Sequence, residues 1–384
     1  MTDTSAISID ELERAAAELA ELARAQAEDI EQQRCLPTEL LDRFRKSGLF
    51  RMGAPATITG PQAPPAVLLA CAETVAVGDA AAGWSVAIGS TCSLLAGWLP
   101  LEGAGEIFGD PYAVAAGVGA PTGTARRVPG GYRVSGRWAF ASGIMHSDYM
   151  FGGCIVEADD TNAPSIRSMG MSCKEIRVLD TWHTSGLRGT GSHDVVAEDV
   201  FVPEHRSMSL LDQPVSTARL YRYPVVAFLA QAVAAVALGN ARGAIDDLSG
   251  LAVGKSAVGS SKTLAQRSAT WVEVAQAEAA LRAARALFYD AIERAWVAAE
   301  SPEPVSLELR AGLRLAATHA AKTGAEVAKS MYDLGGGTAI YDRSPLQRRF
   351  RDAHAITAHV QVNPASWELP GRLLLGQPTA TAML

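Results

Sequence analysis

A chain of 384 residues with 48% hydrophobic content can bury two or three packed units in one enzyme-sized subunit. Its net charge of −7 argues against a nucleic-acid binder, which carries a basic surface. The five cysteines (35, 71, 92, 154, 173) lack C-x-x-C or metal spacing and the seven histidines lack H-x-x-x-H, which argues against a protein-bound metal.

The N-terminal stretch MTDTSAISIDELER is polar and acidic, unlike a signal peptide. Residues 8–110 predict helices. Ser8 and Glu11 form a capping-box pattern, and Leu12, Ala16, Leu19 and Ala23 follow at helical spacing. Pro37 opens a second helix that Gly48 closes. Residues 66–99 are apolar and Ala-rich, as buried helices are, with Gly-Trp pairs at 83–84 and 97–98. At about Pro111 the texture turns to Gly, Val and aromatics. PGG at 129–131 predicts a turn, and Tyr132 and Val134 alternate with polar residues as in a strand. KEIRVLDTW and HDVVAEDVFVP are also strand-like. From about Tyr221 long Ala-rich helices return, over 224–252, 262–300 and 305–333, with a last one starting near Ser344-Pro345. The apolar run VVAFLAQAVAAVALG (225–239) falls short of a membrane span, so a soluble cytoplasmic protein is expected.

Three stretches carry more than fold information. In GRWAFASG (136–143), period two puts Trp138, Phe140 and Ser142 on one face, an arrangement that suits a flat heterocycle. DTWHTSGLRGTGSHDV (180–195) is richer in Gly and polar residues than core packing needs, yet matches no Walker or Rossmann pattern. RRFRDAHAITAHVQVNP (348–364) holds His354 and His359, five apart and so on different faces of a helix.

Four segments resemble, in order, those of the acyl-CoA dehydrogenase fold superfamily: LPTELLDRFRKSGLF, GAPTGTARRVPGGYRVSGRWAFASG, LDTWHTSGLRGTGSHDVVAEDVFVP and SPLQRRFRDAHAITAH. The resemblance implies a mainly α chain with a β middle: an N-terminal helical domain (1–112), a β-barrel-like domain (113–218) and a C-terminal four-helix bundle (219–384). It also implies a homotetramer with flavin near the subunit interfaces. Dehydrogenases of this superfamily commonly carry a basic Glu just after a Tyr, downstream of Arg-Asp. Counting from Arg351-Asp352, His359 stands at the Tyr position and Val360 at the Glu position, and valine takes no proton. The stretch is more similar to the two-component flavin-dependent monooxygenases, which include the oxygenase components of p-hydroxyphenylacetate hydroxylase and dibenzothiophene monooxygenase. There R-x-x-R-D is followed by a histidine, and Phe140 to His146 also resembles that branch.

This branch takes reduced FMN or FAD (FMNH2 or FADH2) from a separate NAD(P)H:flavin reductase. With O2 it forms a C4a-hydroperoxyflavin that oxygenates an aromatic, polycyclic or heteroatom-containing small molecule. By resemblance His359 faces the reactive edge of the flavin, Ser142 lies near its N5 and the substrate, and Trp182 packs on its ring beside Trp138 and Phe140. Gly336 and Gly337 approach a neighbouring subunit's flavin, and Lys255, Lys262 and Arg267 fall where the family places cations. Arg351 and Asp352 read as an ion pair. In TCSLLAGWLP, Cys92 takes the place of a histidine that phenol hydroxylases use as a base. The pocket at Cys92, Leu95, Trp98 and His146 is therefore expected to be apolar, suited to a polycycle, a heteroaromatic or a nucleophilic N or S centre. The rival readings are an acyl-CoA dehydrogenase or oxidase with tightly held FAD, and a helical scaffold that has lost its flavin.

Overall fold

Ser8 starts the first helix through the capping box its sequence encodes. Its hydroxyl accepts the Glu11 N–H at 3.3 Å, and the Glu11 carboxylate accepts the Ser8 N–H at 2.8 Å. The computed structural model describes residues 7–158, 162–256, 259–381 and Leu384. Among the described residues six helices come first: α1 (Ile9–Ala25), α2 (Ala27–Gln33), α3 (Thr38–Ser47), α4 (Pro65–Gly78), α5 (Ala80–Leu94) and α6 (Leu101–Phe108). Helix α3 follows Pro37 and stops at Gly48, whose φ of 77° is the left-handed cap predicted there. The short α2 is not legible in the sequence. Helix α5 is apolar all round and therefore buried on every side; only Ile88 is half-buried.

The described residues of the middle of the chain form one seven-stranded mixed sheet: β1 (Ala115–Val128), β2 (Gly131–Trp138), β3 (Tyr149–Val156), β4 (Ser165–Ser172), β5 (Arg177–Leu179), β6 (Asp194–Pro203) and β7 (Ser207–Met208). The strand order is β5-β6-β2-β1-β3-β4-β7; β1 and β3 are parallel and all other pairs antiparallel. Gly130, at φ 81°, makes the tight turn that returns β1 into β2. Val134, Cys154, Met171, Val195 and Val202 pack a small core around Trp138.

Helices follow again: α7 (Arg219–Arg222), α8 (Val225–Gly254), α9 (Ser268–Ala298), α10 (Leu307–Gly335), α11 (Pro345–Thr357) and α12 (Glu368–Leu374). The apolar run in α8 was expected to be too short for a membrane. The helix is 30 residues long and passes that test of length and composition, but 78% of its most apolar stretch is buried among neighbouring helices. The same holds for Ala80–Trp98, 94% buried. Buried Arg349 on α11 ties the units together. It donates to the carbonyls of Ala76, Val77 and Gly78 at the end of α4, at 3.0, 2.6 and 2.9 Å, and pairs with Asp247 of α8 at 3.0 Å. These are the carbonyls a helix leaves unpaired at its C-terminus.

Candidate active site

Trp84 is the hub of the site, and it comes from the buried helix α5. Its indole N–H donates to Ser142 Oγ at 3.0 Å, and its ring meets His359 edge-on, centroids 5.4 Å apart at 75°. Ser142 continues into a row of hydroxyls: Ser192 Oγ lies 2.8 Å away, Thr190 Oγ1 a further 2.7 Å, and Thr190 donates to the Leu187 carbonyl at 2.8 Å. Two of the residues picked from sequence, Ser142 and His359, thus meet through a third, Trp84, noted there only as part of a Gly-Trp pair.

His359 was expected on the last helix. Helix α11 ends at Thr357, so His359 sits in the turn beyond the cap. Its Nδ1 accepts the Gln361 N–H at 3.3 Å, which leaves the proton of the neutral ring on Nε2. Burial pushes its pKa down to about 4, so it is a neutral N–H donor at physiological pH. His354, on the helix itself, is exposed and touches Phe350. Val360 is 73% exposed.

The Gly-rich loop 180–193 is pinned from two directions. Buried His193 uses Nδ1 to accept the N–H groups of Thr181 and Trp182, both at 3.2 Å. Asp352 accepts the Leu187 N–H at 2.6 Å, and Leu187 holds a left-handed φ of 50°. The Leu187 carbonyl in turn accepts the Trp182 indole N–H at 3.0 Å. Gly186 is where this loop touches α11: a Cβ there would stand 2.3 Å from the Arg351 carbonyl. Burial, with the Asp79 carboxyl as the second cause, raises the Asp352 pKa to about 7. Arg351 and Asp352 do not pair with each other, since neighbours on a helix point apart. Arg351 reaches Glu31, Gln347 and the Ser185 carbonyl instead. Thr190, Ser192, His193 and Asp352 were not singled out from sequence for this site. For the three loop residues the signal was the polar density of the loop, and for Asp352 the Arg351-Asp352 pair.

The shared face of Trp138, Phe140 and Ser142 does not exist. Strand β2 ends at Trp138, and Phe140 turns over with φ 64°. Trp138 is 0% exposed inside the sheet core and spends its N–H on the Gly153 carbonyl, so it has no surface for a ligand. Phe140 is 70% exposed, its ring edge-on to half-buried Trp182 at 6.1 Å. His146 is buried and stacks on Phe50 at 5.5 Å, and burial lowers its pKa to about 4. Cys92 lies on α5 two turns beyond Trp84 and faces Gly117 of β1; burial pushes its thiol pKa up to about 12. Leu95 and Trp98 are buried just after α5, with the Trp98 N–H on the Asp212 carbonyl at 3.1 Å. Gly336 and Gly337 follow α10, ahead of α11, whereas His359 follows α11; 13 helical residues separate the two ends, roughly 20 Å. Lys255 is engaged near these glycines, donating to the Gly335 carbonyl and to Thr338 Oγ1.

Among the described residues the set fits a flavin: a half-buried indole with a phenyl at its edge, a hydroxyl with a lone pair to spare and an imidazole with an unengaged N–H. Trp182, Phe140 and Ser142 would hold it, with His359 at its reacting edge.

Residues 231–364 match the family described as acyl-CoA dehydrogenase, C-terminal domain. The indole-3-acetate monooxygenase of Pseudomonas putida is 38% identical over 92% of this chain and 91% of its own. The oxygenase component of an FADH2-dependent resorcinol hydroxylase from a Rhizobium species is 26% identical over 93% of this chain and 91% of its own. Among solved structures, XiaF of a Streptomyces species, in complex with FADH2 and glycerol, superposes with a TM-score of 0.89 at 26% identity, covering 96% of each chain. The chain therefore belongs to the flavin-dependent monooxygenases built on the acyl-CoA dehydrogenase fold, as an oxygenase component that works with reduced flavin.

Proposed function

We propose that this chain oxygenates an indole bearing a short acidic side chain, using reduced FMN or FAD supplied by an NAD(P)H:flavin reductase. The carrying observation is Cys92. A buried thiol with a pKa near 12 offers no base at the place where a phenol hydroxylase needs one. An indole needs none, because its ring nitrogen already feeds electrons through the C2–C3 double bond and makes C3 nucleophilic. An apolar stripe on buried α5 supports an apolar substrate: Trp84, Ile88, Cys92 and Leu95 follow one another at helical spacing. The name of the Pseudomonas relative supports the indole acid in particular.

The geometry supports a role for each residue. Reduced flavin, when bound, activates oxygen for transfer of one atom to the substrate. His359 donates its Nε2–H at the reacting edge, Ser142 accepts a hydrogen bond from the flavin, and Trp182 with Phe140 covers the ring. Gly336 and Gly337 serve a neighbouring copy, within a homotetramer that works in the cytoplasm. A groove of about 410 Å³ between α9, α10 and α12, lined by Leu309, Leu315, Leu373 and Leu374, supports such an assembly. Leu374 there is 77% exposed, a large apolar side chain for a lone subunit to leave in water.

With a flavin reductase and NADH, the protein is expected to consume oxygen and convert indole-3-acetate while leaving resorcinol unchanged, as read by chromatography of the products. Resorcinol turnover without indole turnover would overturn the assignment.

A further inference from the structure

The proton of Ser142 is already committed, and counting donors shows where. An indole N–H only donates, so Ser142 Oγ accepts from Trp84 at 3.0 Å. A carbonyl only accepts, so the Thr190 hydroxyl donates to Leu187 at 2.8 Å. Thr190 has no second proton. The 2.7 Å contact between Thr190 and Ser192 must therefore be a donation by Ser192. Ser192 is then spent as well, and the 2.8 Å contact between Ser142 and Ser192 must be a donation by Ser142. One lone pair of Ser142 is left over. The end of the row is firm, because Asp352 holds the Leu187 N–H at 2.6 Å and the same carbonyl also receives Trp182 at 3.0 Å.

We propose that Thr190 and Ser192 are positioning residues that turn Ser142 into an obligate acceptor, and that this makes the site select reduced over oxidised flavin. Reduced flavin carries a hydrogen on N5 and donates from it. Oxidised flavin has a lone pair at N5, which would face another lone pair on Ser142. The inference rests on the reading of Ser142 as a contact of that flavin edge. No residue has to move and no charge has to change: the discrimination is built into the direction of three hydroxyls.

The test is equilibrium binding, independent of turnover. Dissociation constants for FMNH2 and FADH2 under anaerobic conditions are compared with those for FMN and FAD, in the parent and in Ser142→Ala, Ser192→Ala, Thr190→Val and Thr190→Ser. Ser192→Ala and Thr190→Val free the Ser142 proton to turn toward the ligand. Both should weaken reduced flavin and strengthen oxidised flavin, narrowing the preference about tenfold, the scale of one hydrogen bond. Thr190→Ser keeps the hydroxyl and should retain the parental ratio. Equal weakening of both flavin forms would mean mere loosening of the loop and would overturn the proposal. So would a parental ratio in Ser192→Ala and Thr190→Val alongside a narrowed one in Ser142→Ala, which leaves the Ser142 contact standing. A parental ratio in Ser142→Ala would remove the contact itself, and the proposal with it. Should Thr190→Val fail to fold, as judged by circular dichroism, Ser192→Ala decides.

Discussion

Replacing His359 with alanine is expected to leave reduced-flavin binding nearly unchanged and to divert oxygen consumption into hydrogen peroxide. The imidazole is neutral, and its Nε2–H is aimed by the bond that Nδ1 accepts from Gln361. A donor fixed in advance, in a site poor in water, acts on charge that develops during the reaction. Losing one such donor costs about 10²–10³ in rate, far more than it costs in ground-state binding. The coupled rate should fall by that factor, measured as product formed per oxygen consumed. Because the His359 pKa lies near 4, coupling in the parent should stay flat between about pH 8 and pH 6 as far as this residue is concerned. His354→Ala is the control, since that ring is exposed against Phe350. Equal coupling in both variants would remove His359 from the chemistry.

Arg349→Leu is expected to be the most damaging change outside the site. The guanidinium is buried and makes four bonds, three to the carbonyls that end α4 and one to Asp247. Leucine would leave the Ala76 and Gly78 carbonyls without the arginine in the interior, while Val77 and Asp247 would keep only Arg24, at 3.1 and 2.8 Å. Removing one partner from a buried charged network costs about 3–5 kcal/mol. Urea unfolding should show a loss of that size in the variant. A loss under 1 kcal/mol would mean that water satisfies the α4 end as well as the arginine does.

The parts of this fold that could be read from sequence are those set by near neighbours. The Ser8–Glu11 cap, the Gly48 stop, the Gly130 turn and the three long helices all depend on residues a few positions apart. The site depends on distant ones. Trp84 meets a serine 58 positions away, and nothing in its Ala-rich helix marks it as different from a core residue. The row from Ser142 to Thr190 joins two loops whose approach is set by the sheet between them. Period two failed for Trp138, Phe140 and Ser142 because it holds only inside a strand, and β2 ends at the first of the three. Past that point the chain follows the loop instead, with the Ala141 N–H on His193 and the Gly143 N–H on Thr190. Helical spacing likewise misplaced His359, because α11 ends two residues before it. Arg349 sits in a run of three other arginines, Arg348, Arg351 and Arg343 nearby, and only its burial distinguishes it.

Given reduced flavin, this chain is expected to move one atom of molecular oxygen into an indole. The direct measurement is a single turnover. Protein, photoreduced flavin and indole-3-acetate are mixed without oxygen, exposed to ¹⁸O₂, and the product is weighed by mass spectrometry. One labelled oxygen should be incorporated by the initial transfer, with hydrogen peroxide a minor product. Full reoxidation of the flavin with stoichiometric peroxide and an untouched indole would contradict it.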